Sequence, residues 1–340
     1  STSRRQRQMC IRDSFNGAPL SMVAITAAKV GPFDLGTVVI RVALRVDPET
    51  AEVFVDPTGS DPLPHIIAGI EVHLRDIRVY VDRPDFVLNP TNCNRTSTAS
   101  TVLGSGLDFA SAADNVPVTV TSPFQAADCS SLPFKPKLTL HLLGGTKRGD
   151  NPKLRSVLQA RPGDANIAKI QVTLPHSEFI ENAHFKTICT RVQFAAGKIP
   201  GEGCPQNSIY GYARVFTPLL DDPVEGPVFL RSSNHPLPDL VLALHNDQIN
   251  LNVDGRVDSV KGGRLRGTFE LLPDAPVTKA VLNMQGGKKG LFVNSTDLCR
   301  GKHEAIVALD GQNGKLSDYR TPLRAECGKK KGKKRRRGAR

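Results

Sequence analysis

Apolar and polar residues alternate along most of this chain, with the period of a β-strand. The clearest run, residues 40–46, reads Ile-Arg-Val-Ala-Leu-Arg-Val. Successive side chains of a strand point to opposite faces, so this run predicts a strand with one buried face and one solvent face. The segment Asp47-Pro48-Glu49-Thr50 predicts a turn, and residues 51–55 predict a returning strand. Together they predict a β-hairpin.

Similar short runs recur to the end of the chain, between residues that favour turns. The sequence contains 25 prolines and 29 glycines, and turn dipeptides such as Asp254-Gly255 and Asn313-Gly314 separate apolar runs. This pattern predicts an all-β protein. The strands expected after the first hairpin are 70–74, 77–81, 116–120, 137–142, 167–174, 209–217, 228–232, 240–244, 249–253, 264–271, 277–284 and 305–309.

One segment, residues 177–185, departs from the strand pattern and predicts a short helix. Ser177 is a favourable N-cap residue, and Glu178 and Glu181 place negative charge in the first turns, near the positive end of the helix dipole. His176, Ser177 and Glu178 also bring three potentially catalytic residue types together. Because adjacent residues do not face one another on a helix or a strand, the N-cap is the better interpretation of Ser177.

Two stretches of the chain contain the same landmarks in the same order. Each has Arg-Val-Asp, then Leu-Pro, then Phe-Val followed by an asparagine, then two cysteines. The spacings are 17, 29 and 36 residues in the first stretch and 15, 26 and 28 in the second, as loop-length changes in a duplicated module would give. These spacings are counted between Asp47, Pro64, Cys93 and Cys129 in the first stretch, and between Asp258, Pro273, Cys299 and Cys327 in the second.

The duplication predicts two tandem all-β modules. The first, residues 15–133, is expected to be truncated, and the second, residues 134–327, to be more complete. The boundary is expected within residues 130–136, where two prolines in four positions make a stiff, extended connector.

Residues 4–14 resemble an in-frame translation of a transposon-type sequencing adapter. We therefore expect residues 1–14 to lie outside the fold, and a signal peptide to have been lost with a truncated N-terminus. A natural basic N-terminal arm is the alternative interpretation.

Positive charge is concentrated at the two ends of the chain. The formal net charge is +12, of which the last 13 residues carry nine Lys and Arg and residues 4–14 carry four Arg and one Asp. Residues 15–327 are therefore neutral overall. A nucleic-acid-binding domain has its basic patch on the fold itself, so nucleic acid is not the expected partner of the folded part.

The basic tail, residues 328–340, is expected to be disordered because a block of like charges repels itself. It either serves solubility alone or makes salt-sensitive contact with a polyanion such as an anionic wall polymer, lipid head groups or nucleic acid. Its candidate polyanion-binding residues are Lys329, Lys330, Lys331, Lys333, Lys334, Arg335, Arg336 and Arg337.

Six cysteines remain once Cys10 is set aside with residues 4–14. An even number at repeat-related positions predicts disulfides, and the repeat favours Cys93–Cys129, Cys189–Cys204 and Cys299–Cys327. Each would stabilise the fold by roughly 3–4 kcal/mol in the chain-entropy account. Disulfides favour an extracellular or cell-envelope location, whereas reduced, buried cysteines in a cytosolic protein are the alternative. Zinc is disfavoured because the sequence has no Cys-x-x-Cys and no paired histidines.

The sequence contains no recognisable catalytic or cofactor motif. Gly-x-Ser-x-Gly and His-Glu-x-x-His are absent, and the glycine-rich segments 144–149 and 286–290 lack the Gly-Lys-Ser/Thr ending of a phosphate-binding loop. We therefore expect no enzyme activity, no metal and no cofactor. No apolar run is long enough for a transmembrane segment.

Four blocks of the sequence resemble a family of large, repetitive, secreted actinobacterial proteins. They are residues 31–37, Cys204-Pro205 with Ser208, residues 217–230, and residues 272–277. The resemblance covers nearly all of residues 15–327. It implies an exported, Ig-like or related β-sandwich protein, and it assigns no catalytic residues.

The expected function is that of a non-catalytic structural or binding protein of the bacterial envelope, secreted or at the cell surface. The basic tail would anchor it electrostatically to an anionic cell-wall polymer or another envelope component. One alternative is a carbohydrate-binding protein, which the absence of Trp and the presence of only four Tyr disfavour, because aromatic stacking platforms are scarce. A hydrolase with dispersed catalytic residues is the other alternative.

Overall fold

The N-terminal part of the chain forms three small, separate sheets. In the computed structural model the described residues are 20–56, 59–64, 66–72, 88–94, 97–105, 116–260 and 262–327. The first sheet is antiparallel, in the order β1-β2-β3, and each of the others has two strands. The strands are β1 (Leu20–Val30), β2 (Phe33–Val46), β3 (Val53–Asp56), β4 (Ile66–Ile67), β5 (Ile70–Glu71), β6 (Ser97–Ser105) and β7 (Val116–Phe124).

The hairpin predicted at residues 40–55 is confirmed as β2 and β3. Its turn is closed by two backbone hydrogen bonds, from the Asp47 N–H to the Glu52 carbonyl and from the Ala51 N–H to the Asp47 carbonyl. The Asp47 carboxylate also accepts the backbone N–H groups of Glu49 and Thr50. The strand predicted at 116–120 is also confirmed, whereas its partner β6 lies in a stretch with no predicted strand. The strand predicted at 77–81 lies outside the described residues.

Thirteen strands follow among the described residues of the second part of the chain, and the nine strands expected there are all present. The thirteen are β8 (Lys137–Leu143), β9 (Lys153–Gln159), β10 (Ile167–Thr173), β11 (Glu178–Ile180), β12 (Ile209–Phe216), β13 (Val224–Arg231), β14 (Asp239–His245), β15 (Asn250–Val260), β16 (Arg264–Phe269), β17 (Lys279–Met284), β18 (Phe292–Asn294), β19 (Glu304–Gly311) and β20 (Leu316–Ala325). The turn expected at Asp254-Gly255 is wrong, because both residues lie inside β15 and pair with neighbouring strands.

Eleven of these strands close into one barrel. Their order around the barrel is β10-β16-β15-β14-β13-β12-β17-β9-β8-β20-β19, and β19 pairs with β10 to complete the ring. Neighbouring strands that strictly alternate in direction cannot close a ring of odd number. The parallel pair β20–β8 resolves this, since every other neighbouring pair in the barrel is antiparallel. Closure leaves the barrel without an unpaired edge strand.

The β-sandwich expected for residues 134–327 is wrong, because these residues form a closed barrel. Strands of a barrel and of a sandwich both turn alternate residues inward, so the alternation did not distinguish them. Tandem Ig-like modules are not confirmed. The internal duplication stays a prediction: Asp47 lies in a turn, whereas Asp258 lies inside β15 and pairs with Arg266 at 2.5 Å.

The helix expected at residues 177–185 is also wrong. Residues 178–180 form β11, which pairs with β18, and a 3-10 turn follows at Asn182–His184. Tertiary burial overrides the local N-cap signal here, because Ser177 and Glu178 are enclosed by the barrel end instead of facing solvent. A five-residue helix, α1 (Arg191–Ala195), lies further on and begins with a capping box between Thr190 and Gln193.

The three predicted disulfides are confirmed. Cys93–Cys129 closes a 36-residue separation before the barrel, Cys189–Cys204 encloses α1, and Cys299–Cys327 ties the loop before β19 to the end of β20. The barrel core is formed by inward-facing side chains such as Leu138, Leu140 and Leu142.

Candidate ligand-binding site

The barrel encloses an apolar cavity of about 260 Å³. Side chains just fill the interior of a barrel of about eight strands, and the diameter grows with strand number. Eleven strands therefore enclose more space than the inward-facing residues fill. Nine of the eleven barrel strands contribute to the cavity wall, so the cavity is a property of the whole barrel.

The wall of the cavity is almost entirely aliphatic and aromatic. Ser156 and Asn252 are the polar side chains among the described residues that line it, and no charged residue of the described ranges does so. Representative wall residues are Leu140, Leu158, Leu242, Val257, Phe269 and Met284.

Gly267 leaves part of the wall bare. It lies on β16 between Leu265 and Phe269, which also line the cavity. A Cβ atom added at Gly267 would have no atom within 4 Å outside its immediate chain neighbours. A larger side chain at this position would thus extend into the cavity instead of into the packed core.

Two segments cover the lower mouth of the barrel, the end where β15 begins and β16 ends. The turn of the β2–β3 hairpin brings Ala51 to the cavity, and the Pro48 carbonyl accepts a 2.6 Å hydrogen bond from the Asn252 backbone N–H. The loop 270–278 brings Leu272 and Pro273 across the same opening. The N-terminal part of the chain therefore helps to close the barrel.

Asp274 fastens the loop 270–278 to the segment 88–94. One carboxylate oxygen accepts the backbone N–H groups of Thr91 and Asn92 at 2.8 and 2.9 Å. The other accepts the Thr91 hydroxyl at 2.9 Å and the Asn166 side-chain amide at 2.8 Å. Four donors on one carboxylate make this the most extensive side-chain latch at the lower mouth.

A two-stranded lid, β11 with β18, covers the upper mouth. Ile180 and Phe292 lie opposite each other in the lid, and both line the cavity. Glu178 and Asn294 form the next inward-facing pair, because side chains two residues apart on a strand share a face. The flanking backbone bonds, Ser295 N–H to Ser177 O and Glu181 N–H to Leu291 O, place Glu178 and Asn294 at a non-hydrogen-bonded pair, where opposite side chains are closest.

Glu178, Asn294 and Ser177 form a buried polar cluster beneath the lid. Their exposed fractions are 1%, 1% and 4%. The Ser177 hydroxyl, both Glu178 carboxylate oxygens and the Asn294 Oδ1 have no hydrogen-bond partner among the described residues. Buried polar atoms are normally paired, so these four atoms give the cluster the capacity to bind a polar group.

The electrostatics of Glu178 follow from this isolation. Burial raises the pKa of Glu178 to about 8, because a carboxylate is costly in an apolar environment. The Ser177 hydroxyl offsets part of that shift, although it does not reach normal hydrogen-bond geometry. At neutral pH the carboxyl is mostly protonated in the absence of a partner.

An open, charged cleft of about 410 Å³ lies outside the lid. Ser177 is part of its wall, so the polar cluster lies between this cleft and the cavity. Arg264, Lys302 and Arg320 give the cleft its basic character, beside a single acid, Glu304. Arg264 donates to the carbonyls of Leu174 and Thr173 at 3.0 and 3.4 Å, which fixes it against the barrel rim.

The residues singled out from the sequence are distributed unevenly over this site. The six disulfide cysteines support the framework and do not line the cavity. The basic residues Lys329–Arg337 lie outside the described residues. The sequence predicted Ser177 and Glu178 at the start of a helix. It predicted neither the role of Asn294 nor the cavity. The one available signal was a glutamate directly before an apolar pair, Phe179-Ile180.

No protein-family model, no curated protein and no solved structure matches this chain. Within the described ranges, no helix is long and apolar enough to cross a membrane. In the same ranges, no three His, Cys, Asp or Glu side chains form a group that could hold a metal ion. The site is therefore defined by its own geometry: an apolar cavity, covered at both mouths, with a buried polar cluster beyond its upper end.

Proposed function

We propose that this protein is a non-catalytic binding protein that holds a small apolar ligand, or the apolar part of a larger one, inside its barrel. The cavity carries this proposal. Its volume of about 260 Å³ lies just below the range of roughly 300–1,000 Å³ typical of small-molecule pockets, so it suits one chain or a small ring system. Predominantly apolar walls with a few polar groups are also typical of such pockets.

The energetic cost of an empty cavity supports the same conclusion. At roughly 24 cal/mol per Å³, an unfilled cavity of about 260 Å³ costs on the order of 6 kcal/mol. Domains are stable by only about 5–15 kcal/mol in total, so this is a large cost for a cavity without a use. A ligand that fills the cavity recovers part of that free energy as binding affinity.

Binding is tested with N-phenyl-naphthylamine, an uncharged dye whose fluorescence rises in apolar surroundings. The protein is first extracted with organic solvent and refolded with its disulfides intact, and the dye is then titrated. We expect saturable binding to one site. Gly267→Leu extends four carbon atoms into the cavity and takes the space of about four methylene groups of ligand. At about 0.8 kcal/mol for each group, we expect binding to weaken by roughly two orders of magnitude.

Ala308→Leu is the matched control. Ala308 lies on β19 between the inward-facing Val307 and Leu309, so its side chain is on the outer face of the barrel. The control variant is expected to bind the dye like the parent protein. Equal dye binding by the parent and Gly267→Leu would place the dye outside the cavity and contradict the proposal.

The proposed location is the outside of the cell or its envelope, where the three disulfides are stable. The basic residues of the tail, Lys329–Arg337, supply a block of positive charge that an anionic wall polymer would attract. We therefore propose that the tail retains the protein at the envelope while the barrel binds its ligand.

A further inference from the structure

The unpaired atoms under the lid are nearly all hydrogen-bond acceptors. Once Glu178 is ionised, as it would be beside a bound cation, its carboxylate has no donor and offers two acceptor oxygens, whereas the protonated form keeps one O–H donor. The Asn294 side-chain amide donates to the carbonyls of Gly145 and Lys147 at 3.3 and 3.1 Å. These two hydrogen bonds use the NH2 group of the amide and so fix its orientation. The side-chain oxygen Oδ1 is the polar atom that remains without a partner. Asn294 therefore offers Oδ1 alone.

The cluster needs a group that supplies hydrogen bonds and, if Glu178 is ionised, a positive charge. The Ser177 hydroxyl has only one hydrogen for three acceptor oxygens. A primary ammonium group has three N–H donors and one positive charge. It matches the two Glu178 oxygens and Asn294 Oδ1 in number, and it neutralises the carboxylate. An alcohol has one donor and no charge, and a carboxylate would add a second negative charge.

The cluster is placed where the head of an end-on ligand would lie. Ile180 and Phe292 line the cavity, and Glu178 and Asn294 follow them on the same inward face of the same two strands. A chain that fills the cavity lengthwise would therefore point towards the cluster, which lies one residue pair beyond the cavity wall along the two lid strands. Ser177 also lines the outer cleft, so the head-group end of the ligand would lie next to solvent on the far side of the lid.

We propose that Ser177, Glu178 and Asn294 form the head-group site for a single-chain primary amine, whose hydrocarbon chain occupies the barrel cavity. This inference rests on the proposed function, since it names the chemical class of the ligand that the cavity binds. It also explains why Glu178, which has no charged partner beneath the lid, is tolerated there: the positive charge arrives with the ligand.

The test is competition against N-phenyl-naphthylamine by octylamine, octanol and octanoate, which share a chain and differ in head group. We expect the parent protein to bind octylamine at least about tenfold more tightly than octanol, and octanoate most weakly. In Glu178→Gln the shape of the side chain is kept but the charge is lost, so the preference for octylamine over octanol should disappear while octanol still binds.

Glu304→Gln is the control for unspecific attraction of the ammonium group, because it removes one exposed carboxylate from the outer cleft. It is expected to leave the preference unchanged. Equal affinities of the three compounds for the parent, or a preference that survives in Glu178→Gln, would overturn the head-group assignment while the cavity proposal stands. Failure of the dye itself to bind would instead overturn the proposed function.

Discussion

At the scale of single residues, Glu178 is the most informative position in this protein. The residue is 1% exposed and its carboxylate oxygens have no hydrogen-bond partner, whereas the sequence predicts a solvent-exposed position in the first turn of a helix. Ser177 with Glu178 and Glu181 after it is a good local signal for a helix start, yet short local signals are weak beside tertiary burial. The residue type was visible in the sequence, whereas its burial depends on pairing with β18, more than a hundred residues away.

Burial of Glu178 makes the stability of the protein depend on pH. Burial raises its pKa from the ordinary 4.5 to about 8. Between these two values the folded state holds a proton that the unfolded chain has released. Stability of the unliganded protein therefore falls as pH rises through this window, by up to about 1.4 kcal/mol per pH unit, and levels off above it.

Glu178→Gln removes this titration, so the variant should gain stability relative to the parent protein as pH rises from about 5 to about 8. Urea unfolding of both proteins at several pH values measures the difference, with the exposed Glu304→Gln as the control. Stability curves of parent and Glu178→Gln that stay parallel across this range would show that Glu178 is not buried as described.

At the scale of elements, the alternation of apolar residues was sufficient to place strands and insufficient to arrange them. Strands such as β14 and β19 were predicted close to their observed bounds because both have unbroken inward-facing apolar positions. The strand β6 was missed, since residues 97–105 are rich in Ser and Thr and lack alternation. The disulfides were predicted because the repeat pairs Cys93 with Cys129 and Cys299 with Cys327, which leaves Cys189 and Cys204 as the third pair.

The lower mouth depends on the Asp274 latch between the loop 270–278 and the segment 88–94. In Asp274→Asn an uncharged amide replaces the carboxylate that accepts four hydrogen bonds. Several of these charge-assisted hydrogen bonds therefore weaken. We expect a loss of about 2–4 kcal/mol of stability, since hydrogen bonds to charged groups contribute roughly 1.5–3 kcal/mol each. We also expect faster amide hydrogen exchange in these two segments, with little change in the lid.

Asp247→Asn makes the same chemical change in an exposed loop at the same end of the barrel and is the control. Hydrogen exchange read by mass spectrometry separates the two variants. Unchanged protection of residues 88–94 and 270–278 in Asp274→Asn would mean that the latch does not hold the lower mouth closed.

At the scale of the whole molecule, the closure of the strands into a barrel could not be predicted from the sequence. Closure requires β20 to pair with β8 in parallel and β10 to pair with both β16 and β19. These pairings join residues far apart in sequence, and the period-two pattern of each strand is the same in a sandwich. The cavity is also a collective property, because it arises from strand number and not from any one residue.

The tail makes a separate prediction for the intact protein. We expect residues 15–340 to bind isolated bacterial cell envelopes at low salt and to be released from them at moderate salt, because contacts with a polyanion are screened. Residues 15–327 should bind much less, as they carry no net charge. A sedimentation assay with both chains measures this. Salt-resistant binding of residues 15–327 would assign envelope recognition to the folded part.

The central claim is that the barrel interior holds a ligand, and native mass spectrometry tests it most directly. The solvent-extracted protein, refolded with its three disulfides, is incubated with a mixture of single-chain amphiphiles and desalted. We predict one bound molecule per chain in the parent protein and in Ala308→Leu, and a strongly reduced adduct in Gly267→Leu. A parent protein that retains no ligand, or a Gly267→Leu variant that retains as much as the parent, would contradict the claim.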